Sequence, residues 1–137
     1  FMKKISLKYK FEKIFIDRSD SKFNHCKLIN NEEIKNFLRT KNFQIIKLSN
    51  FNFKDQINIF NKAKVIIGPH GAGFVNLVFC KKKTKIIEIK PVNHSNDLYR
   101  KISKINELKY KSIKLKKIKK NKKGDIFLKK GILKKYI

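Results

Sequence analysis

At 137 residues the chain is long enough for one domain with a sizeable core, and its 36 lysines and arginines against 10 acids give a formal charge of +26. No apolar run approaches the roughly 20 residues needed to cross a bilayer, no secretory leader is visible, and Cys26 and Cys80 match no metal-binding spacing and read as free thiols of a reducing compartment. Only Arg18, Arg39 and Arg100 are arginine; lysine, asparagine and isoleucine share A- and T-rich codons, so codon bias accounts for the charge better than specific nucleic-acid binding, which favours bidentate arginine.

The first predicted element is a strand at Lys13–Ile16, where Ile14, Phe15 and Ile16 form a short apolar run suited to a sheet covered on both faces. It ends in the polar loop Asp17-Arg18-Ser19-Asp20-Ser21, which puts Arg18 just past a strand's carboxyl end. Asn30 or Asn31 caps a helix whose first turn holds Glu32 and Glu33 and whose apolar face is Ile34, Phe37 and Leu38. Lys41-Asn42 breaks that pattern, and residues 43–48 read as a second strand.

Asn52 and Asp55 resemble a capping pair for a helix with Phe53, Ile57, Phe60 and Ala63 on one stripe. A strand of β-branched residues at Val65, Ile66 and Ile67 then runs into Gly68-Pro69-His70-Gly71-Ala72-Gly73, followed by an apolar helix over residues 74–79. Residues 84–89 form a strand ended by Pro91, Ser95 or Asn96 caps a helix with Leu98, Ile102, Ile105 and Leu108 on one face, and residues 110–115 are a last strand. Strands and helices alternating in this way predict an α/β fold, a Rossmann-like parallel sheet with helices on both faces. Residues 1–115 are read as this domain and residues 116–137 as a lysine-rich tail, solvated or peripheral to the core.

The glycine loop matches neither GxGxxG nor GxxxxGK[ST]. Its glycines nevertheless allow close backbone approach and positive φ, and a helix beginning near Ala72 aims amides at an anion; on pattern alone an anion site and a ligand-free turn fit equally. His70 reads as a ligand contact before a general base. Glu88, near the end of its strand, is placed to accept from ribose hydroxyls, Arg18 and Ser19 to donate to the same anion, and Asn76 to need a partner if buried. No nucleophilic cysteine or serine arrangement and no metal site is indicated.

Taken together, Ile16-Asp17-Arg18-Ser19-Asp20, Asn31-Glu32-Glu33-Ile34, Phe53-Lys54-Asp55-Gln56-Ile57, the run from Ala63 through the His70-Gly71-Ala72-Gly73 loop to Asn76-Leu77, and Ile86-Ile87-Glu88-Ile89 resemble the carboxyl-terminal half of glycosyltransferase family 61, a group that includes bacterial capsular polysaccharide biosynthesis proteins. The resemblance implies the carboxyl-terminal half of a GT-B-like, inverting glycosyltransferase that binds a nucleotide-sugar donor, UDP-linked, with no cofactor or divalent metal required. Carried over, Arg18, Ser19 and the loop His70, Gly71, Ala72 and Gly73 face the diphosphate, His70 being the catalytic candidate, while Asn76 and Glu88 support the pocket or contact the nucleoside. The expected acceptor is a glycan or lipid-linked glycan in surface polysaccharide assembly, held by an amino-terminal acceptor domain that this chain, opening on Phe1, largely lacks. The chain departs from the family at Asn24 and His25, where further arginines are common. A cytoplasmic location peripheral to the inner membrane follows, with the lysine-rich tail on anionic lipid. The alternative is a basic nucleic-acid-binding module.

Overall fold

Ile14, Phe15 and Ile16 are fully or almost fully buried in β1 (Lys13–Ile16), an inner strand of the sheet. The structure, a computed structural model, describes residues 10–19, 26–118 and 125–137. The other strands are β2 (Gln44–Ile46), β3 (Val65–Pro69), β4 (Lys85–Pro91) and β5 (Lys109–Leu115); all pair in parallel, in the order β2-β1-β3-β4-β5. Residues on alternate sides of each strand enter two separate cores. Phe15, Ile67, Ile87 and Ile113 pack with α1 (Asn31–Arg39) and α4 (Lys130–Lys134). Ile14, Ile66 and Ile86 pack with α2 (Phe53–Lys62), the segment Ala72–Phe79 and α3 (Leu98–Ile105). The α/β class, the Rossmann-like parallel sheet and the covering of both faces are therefore as the sequence predicts.

Several local expectations are corrected. Asn30 precedes α1 without a capping side-chain bond; its amide instead brackets Leu128, donating to that carbonyl at 2.8 Å and accepting from its N–H at 3.2 Å. The cap of α2 is as expected, with Asn52 Oδ1 accepting from the Asp55 amide at 2.8 Å. Its stripe is as expected only in part: Phe60 and Ala63 are buried, joined by Ile59, while Phe53 is 63% exposed and meets Phe79 edge-on. On α3 the inward face is Tyr99 and Ser103, with Ile102 half-buried, and Ile105 is 79% exposed. Asn96 accepts from the Leu98 amide at 2.9 Å, an Asx-type turn ahead of the helix.

Residues 72–79 form a 3-10 helix rather than an α-helix. Phe74 and Leu77 are buried and Val75 and Val78 exposed, the threefold spacing that three residues per turn require. Asn106 and Asn61 donate to the carbonyls of Leu77 and Phe79, partnering groups that this tight segment presents outward. The closing stretch is not peripheral. Ile126, Leu128 and Leu133 are fully buried, and Ile126 bridges both Leu28 and Lys117. Asp20, Ser21, Asn24 and His25 lie outside the described residues. Among those described, no helix is long and apolar enough to cross a membrane.

Candidate functional site

From β1 the chain moves to one side of the sheet and from β3 to the other, so the strand order reverses between them; in open α/β sheets ligands usually bind outside the carboxyl ends of the strands at such a point. Asp17 leads the loop after β1 and is 1% exposed. Its Oδ1 accepts from the Ser19 amide and Asn31 Nδ2, each at 3.0 Å, and its Oδ2 pairs with the buried Lys35 ammonium at 3.0 Å. Burial alone would raise the carboxyl's pKa; the Ser19, Lys35 and Asn31 bonds outweigh it and hold the group below its ordinary value. This anchor fixes the loop from which Arg18 reaches across and donates Nη1 to the His70 carbonyl after β3. Ser19 itself is exposed at the rim.

Gly71 is what lets Arg18 cross. Its backbone is extended, with φ 169°, so the expected need for positive φ does not apply. Space is the reason: a Cβ there would lie 2.1 Å from Arg18 Nε and 2.7 Å from its Cδ. At Gly73 a Cβ would sit 2.6 Å from Leu48 Cδ1, so that glycine seats the 3-10 helix against the segment after β2. Gly71→Ala is expected to push the Arg18 side chain off the His70 carbonyl while leaving the fold intact, because the clash is with a flexible side chain. Loss of protection of the surrounding loop amides in hydrogen exchange, with an unchanged urea midpoint, is the expected signature.

His70 is nearly buried and anchored from several directions. Its amide donates to the Ile89 carbonyl at 2.8 Å, and its Nδ1 lies 3.3 Å from Glu88 Oε2. Its ring centroid stands 4.1 Å from that of His94 and 5.1 Å from that of Tyr99. Glu88 is not near the strand end as expected, because β4 continues to Pro91; it sits mid-strand, opposite Gly68 in register, and is 1% exposed. Its Oε1 accepts from the Tyr110 hydroxyl at 2.9 Å and lies 3.4 Å from the buried Lys90 ammonium. Burial, reinforced by the Glu88 charge, pushes the Tyr110 hydroxyl's pKa well up, which keeps it a proton donor. Burial, then the neighbouring His70 and Lys90, lowers the pKa of His94.

Asn76 is buried, as the sequence allowed, and has its partner within the protein: Nδ2 donates to Gln56 Oε1 at 2.9 Å, while Gln56 Nε2 donates to the Leu48 and Phe51 carbonyls. Ala72 and Gly73 open the 3-10 helix, whose first internal bond runs from the Phe74 amide to the Gly71 carbonyl at 3.0 Å. The structure thus gathers Arg18, His70, Gly71 and Gly73 at one edge and puts Glu88 behind His70; Asn76 points its amide to Gln56. Sequence reading missed His94, Tyr99, Lys90, Tyr110 and Gln56. A second histidine just past the next strand's end was one available signal, and the partners that a buried acid at position 88 demands were another. Cys80 is chemically quiet, its thiol pushed up to about 12 by burial. Among the described residues, no cluster of three or more His, Cys, Asp or Glu side chains is arranged to hold a metal ion.

Comparison with known proteins gives a match to the family described as Glycosyltransferase 61 over residues 2–87. Two plant proteins are similar over part of the chain. The β-1,2-xylosyltransferase RCN11 of Oryza sativa subsp. japonica is 34% identical over 67 residues, 49% of this chain. The β-1,2-xylosyltransferase of Arabidopsis thaliana is 35% identical over 68 residues, 50% of this chain. The aligned stretch is 13% of the length of each of these relatives.

Proposed function

Because the chain belongs to glycosyltransferase family 61, we propose that it is the donor-binding portion of an inverting glycosyltransferase, with the crevice between the ends of β1 and β3 holding the diphosphate of a nucleotide-sugar. The observation that carries this reading is the meeting of the two loops across the switch point, where Arg18 reaches the His70 carbonyl. There Arg18, Ser19, the His70 side chain and the backbone of Gly71 to Gly73 surround the diphosphate, and Asn76 and Glu88 brace the pocket from behind. In the reaction an acceptor hydroxyl attacks the anomeric carbon as the bond to the diphosphate breaks, its proton passing to a base on the acceptor side and the nucleoside diphosphate leaving. Donors fixed in advance on the departing oxygens stabilise the charge that develops there, with no cofactor required. His70 is the candidate for that contact.

The acceptor in this proposal is a glycan or lipid-linked glycan of surface polysaccharide assembly, bound largely by protein outside these residues. The relatives' names make UDP-xylose a necessary member of any donor panel. Isothermal titration with UDP and a set of UDP-sugars tests the reading. Charge-assisted hydrogen bonds contribute about 1.5–3 kcal/mol, so Arg18→Ala and His70→Ala are each expected to weaken UDP binding about tenfold or more, against an unchanged Lys54→Ala control. Binding that neither substitution affects would overturn it; affinity for DNA or RNA with a steep salt slope and no response to UDP would favour the basic nucleic-acid module instead.

We further propose that the cytoplasmic enzyme approaches its lipid-linked acceptor at an anionic membrane through the closing lysines. Lys129, Lys130, Lys134 and Lys135 are exposed around α4, and each basic residue near such a surface contributes about 1 kcal/mol. Because α4 also anchors the core, the informative variant changes these four lysines to glutamine rather than deleting them. Co-sedimentation with phosphatidylserine vesicles should then drop sharply, and unchanged co-sedimentation would count against the membrane role.

A further inference from the structure

We propose that Glu88 is a positioning residue that fixes the tautomer of His70, with the proton on Nδ1 and Nε2 left as the nitrogen that meets the ligand. This rests on the nucleotide-diphosphate reading only for what Nε2 meets. The carboxylate stands between donors on both sides. At Oε1 it receives the Tyr110 hydroxyl at 2.9 Å and faces the Lys90 ammonium at 3.4 Å; at Oε2 it faces His70 Nδ1 at 3.3 Å. Lys90 in turn donates to the Asn96 carbonyl at 3.3 Å, which ties the acid's partner to the loop after β4. An ionised carboxylate has only acceptor sites, so the imidazole nitrogen facing it carries the proton. The two ring nitrogens lie on opposite sides of the imidazole, and fixing one assigns the other.

The surroundings hold the ring in one orientation. The His94 and Tyr99 rings pack beside it at tilted angles, and the Arg18 guanidinium is bonded to the residue's own carbonyl. In its neutral form Nε2 accepts a proton from a hydroxyl. Once protonated it donates to a phosphate oxygen. One tautomer thus serves both the roles that the loop's position offers, and Glu88 acts through His70 without touching the ligand.

The pattern of donors makes the Glu88→Gln outcome specific. Tyr110 and Lys90 both present protons at the Oε1 position, so the glutamine oxygen is held there and its NH2 occupies the Oε2 position. That group donates to His70 Nδ1, which must then accept, and the ring proton moves to Nε2. Long-range 1H–15N correlation spectra of the full chain labelled in histidine, recorded without ligand above the imidazole titration range, read this directly. His25→Asn and His94→Asn variants assign the His70 signals among the three histidines. The expected result is Nδ1–H in the wild type and predominantly Nε2–H in Glu88→Gln. A wild-type ring protonated on Nε2 would overturn the proposal, and so would a folded Glu88→Gln protein with the wild-type tautomer. The wild-type spectrum decides by itself if the variant fails to fold. Because no nucleotide is present, the outcome is independent of whether UDP binds.

Discussion

Removal of residues 125–137 is expected to unfold the domain. The stretch reads as a lysine tail, yet Ile126, Leu128 and Leu133 are fully buried in the core beneath β1, β3, β4 and β5. Truncating one such side chain to alanine costs about 2–5 kcal/mol, and a whole domain is stable by only about 5–15 kcal/mol. Losing all three, together with the Asn30 bonds to Leu128 and the Ile126 amide bond to the Lys27 carbonyl at 2.9 Å, exceeds what a domain of this size withstands. Circular dichroism should show loss of the cooperative thermal transition on deletion. Leu133→Ala alone should lower the urea midpoint while keeping the transition two-state. A truncated chain that melts like the full one would show that the segment is dispensable.

The second large effect is expected at Asp17. Its carboxylate joins three elements: β1 through its own backbone, the Arg18 loop through the Ser19 amide, and α1 through Asn31 and Lys35. Alanine at this position strands the Lys35 ammonium. Breaking a buried ion pair costs about 3–5 kcal/mol, and the lower end applies because Glu32 still pairs with Lys35 at 2.6 Å. The pH dependence has a definite sign. The folded pKa is held below the ordinary 3.8, so the stabilisation is complete above that value and fades as pH falls through the depressed one. Urea midpoints of wild type and Asp17→Ala should therefore differ most at neutral pH and converge in strong acid. A gap that stays constant into that range would mean that the loss comes from packing and not from the carboxylate.

What the sequence made legible follows the strength of the local signal. Ile14-Phe15-Ile16 and Val65-Ile66-Ile67 could be read as inner strands because runs covered on both faces leave no polar alternation. The Asn52 cap was legible because capping is decided within three residues. Helix phase was less so. Phe60 and Ala63 of the expected α2 stripe are buried, but Phe53, Leu98 and Ile105 are exposed; α2 turns Ile59 inward instead, and α3 turns in Tyr99, which lies 5.1 Å from His70 and 5.5 Å from Phe74. Which of two adjacent apolar stripes is buried depends on neighbours that a single helix does not encode.

The site shows the same division. Arg18 and His70 could be placed on one edge from strand-loop-helix order alone, since every strand of a parallel sheet ends on the same side. Their actual link, a guanidinium on a backbone carbonyl past a glycine with no room for Cβ, depends on tertiary approach. Glu88 was expected at an open edge because Pro91 reads as a stop. Pro91 instead pairs as the last residue of β4, opposite Leu115, which places Glu88 inside the sheet, where Tyr110 from the next strand meets it. No short-range pattern joins residues 88 and 110, and the need of a buried acid for partners was the one available clue.

The decisive question is whether a nucleoside diphosphate enters the crevice between β1 and β3. Titrating UDP into the uniformly 15N-labelled chain and following its amide resonances tests this most directly. Saturable shifts are predicted for Arg18, Ser19, His70, Gly71 and Gly73, with the β2 edge at Gln44–Ile46 and α4 unaffected. Shifts confined to the lysine-rich surface, or none at the His70 loop at saturating UDP, would contradict it.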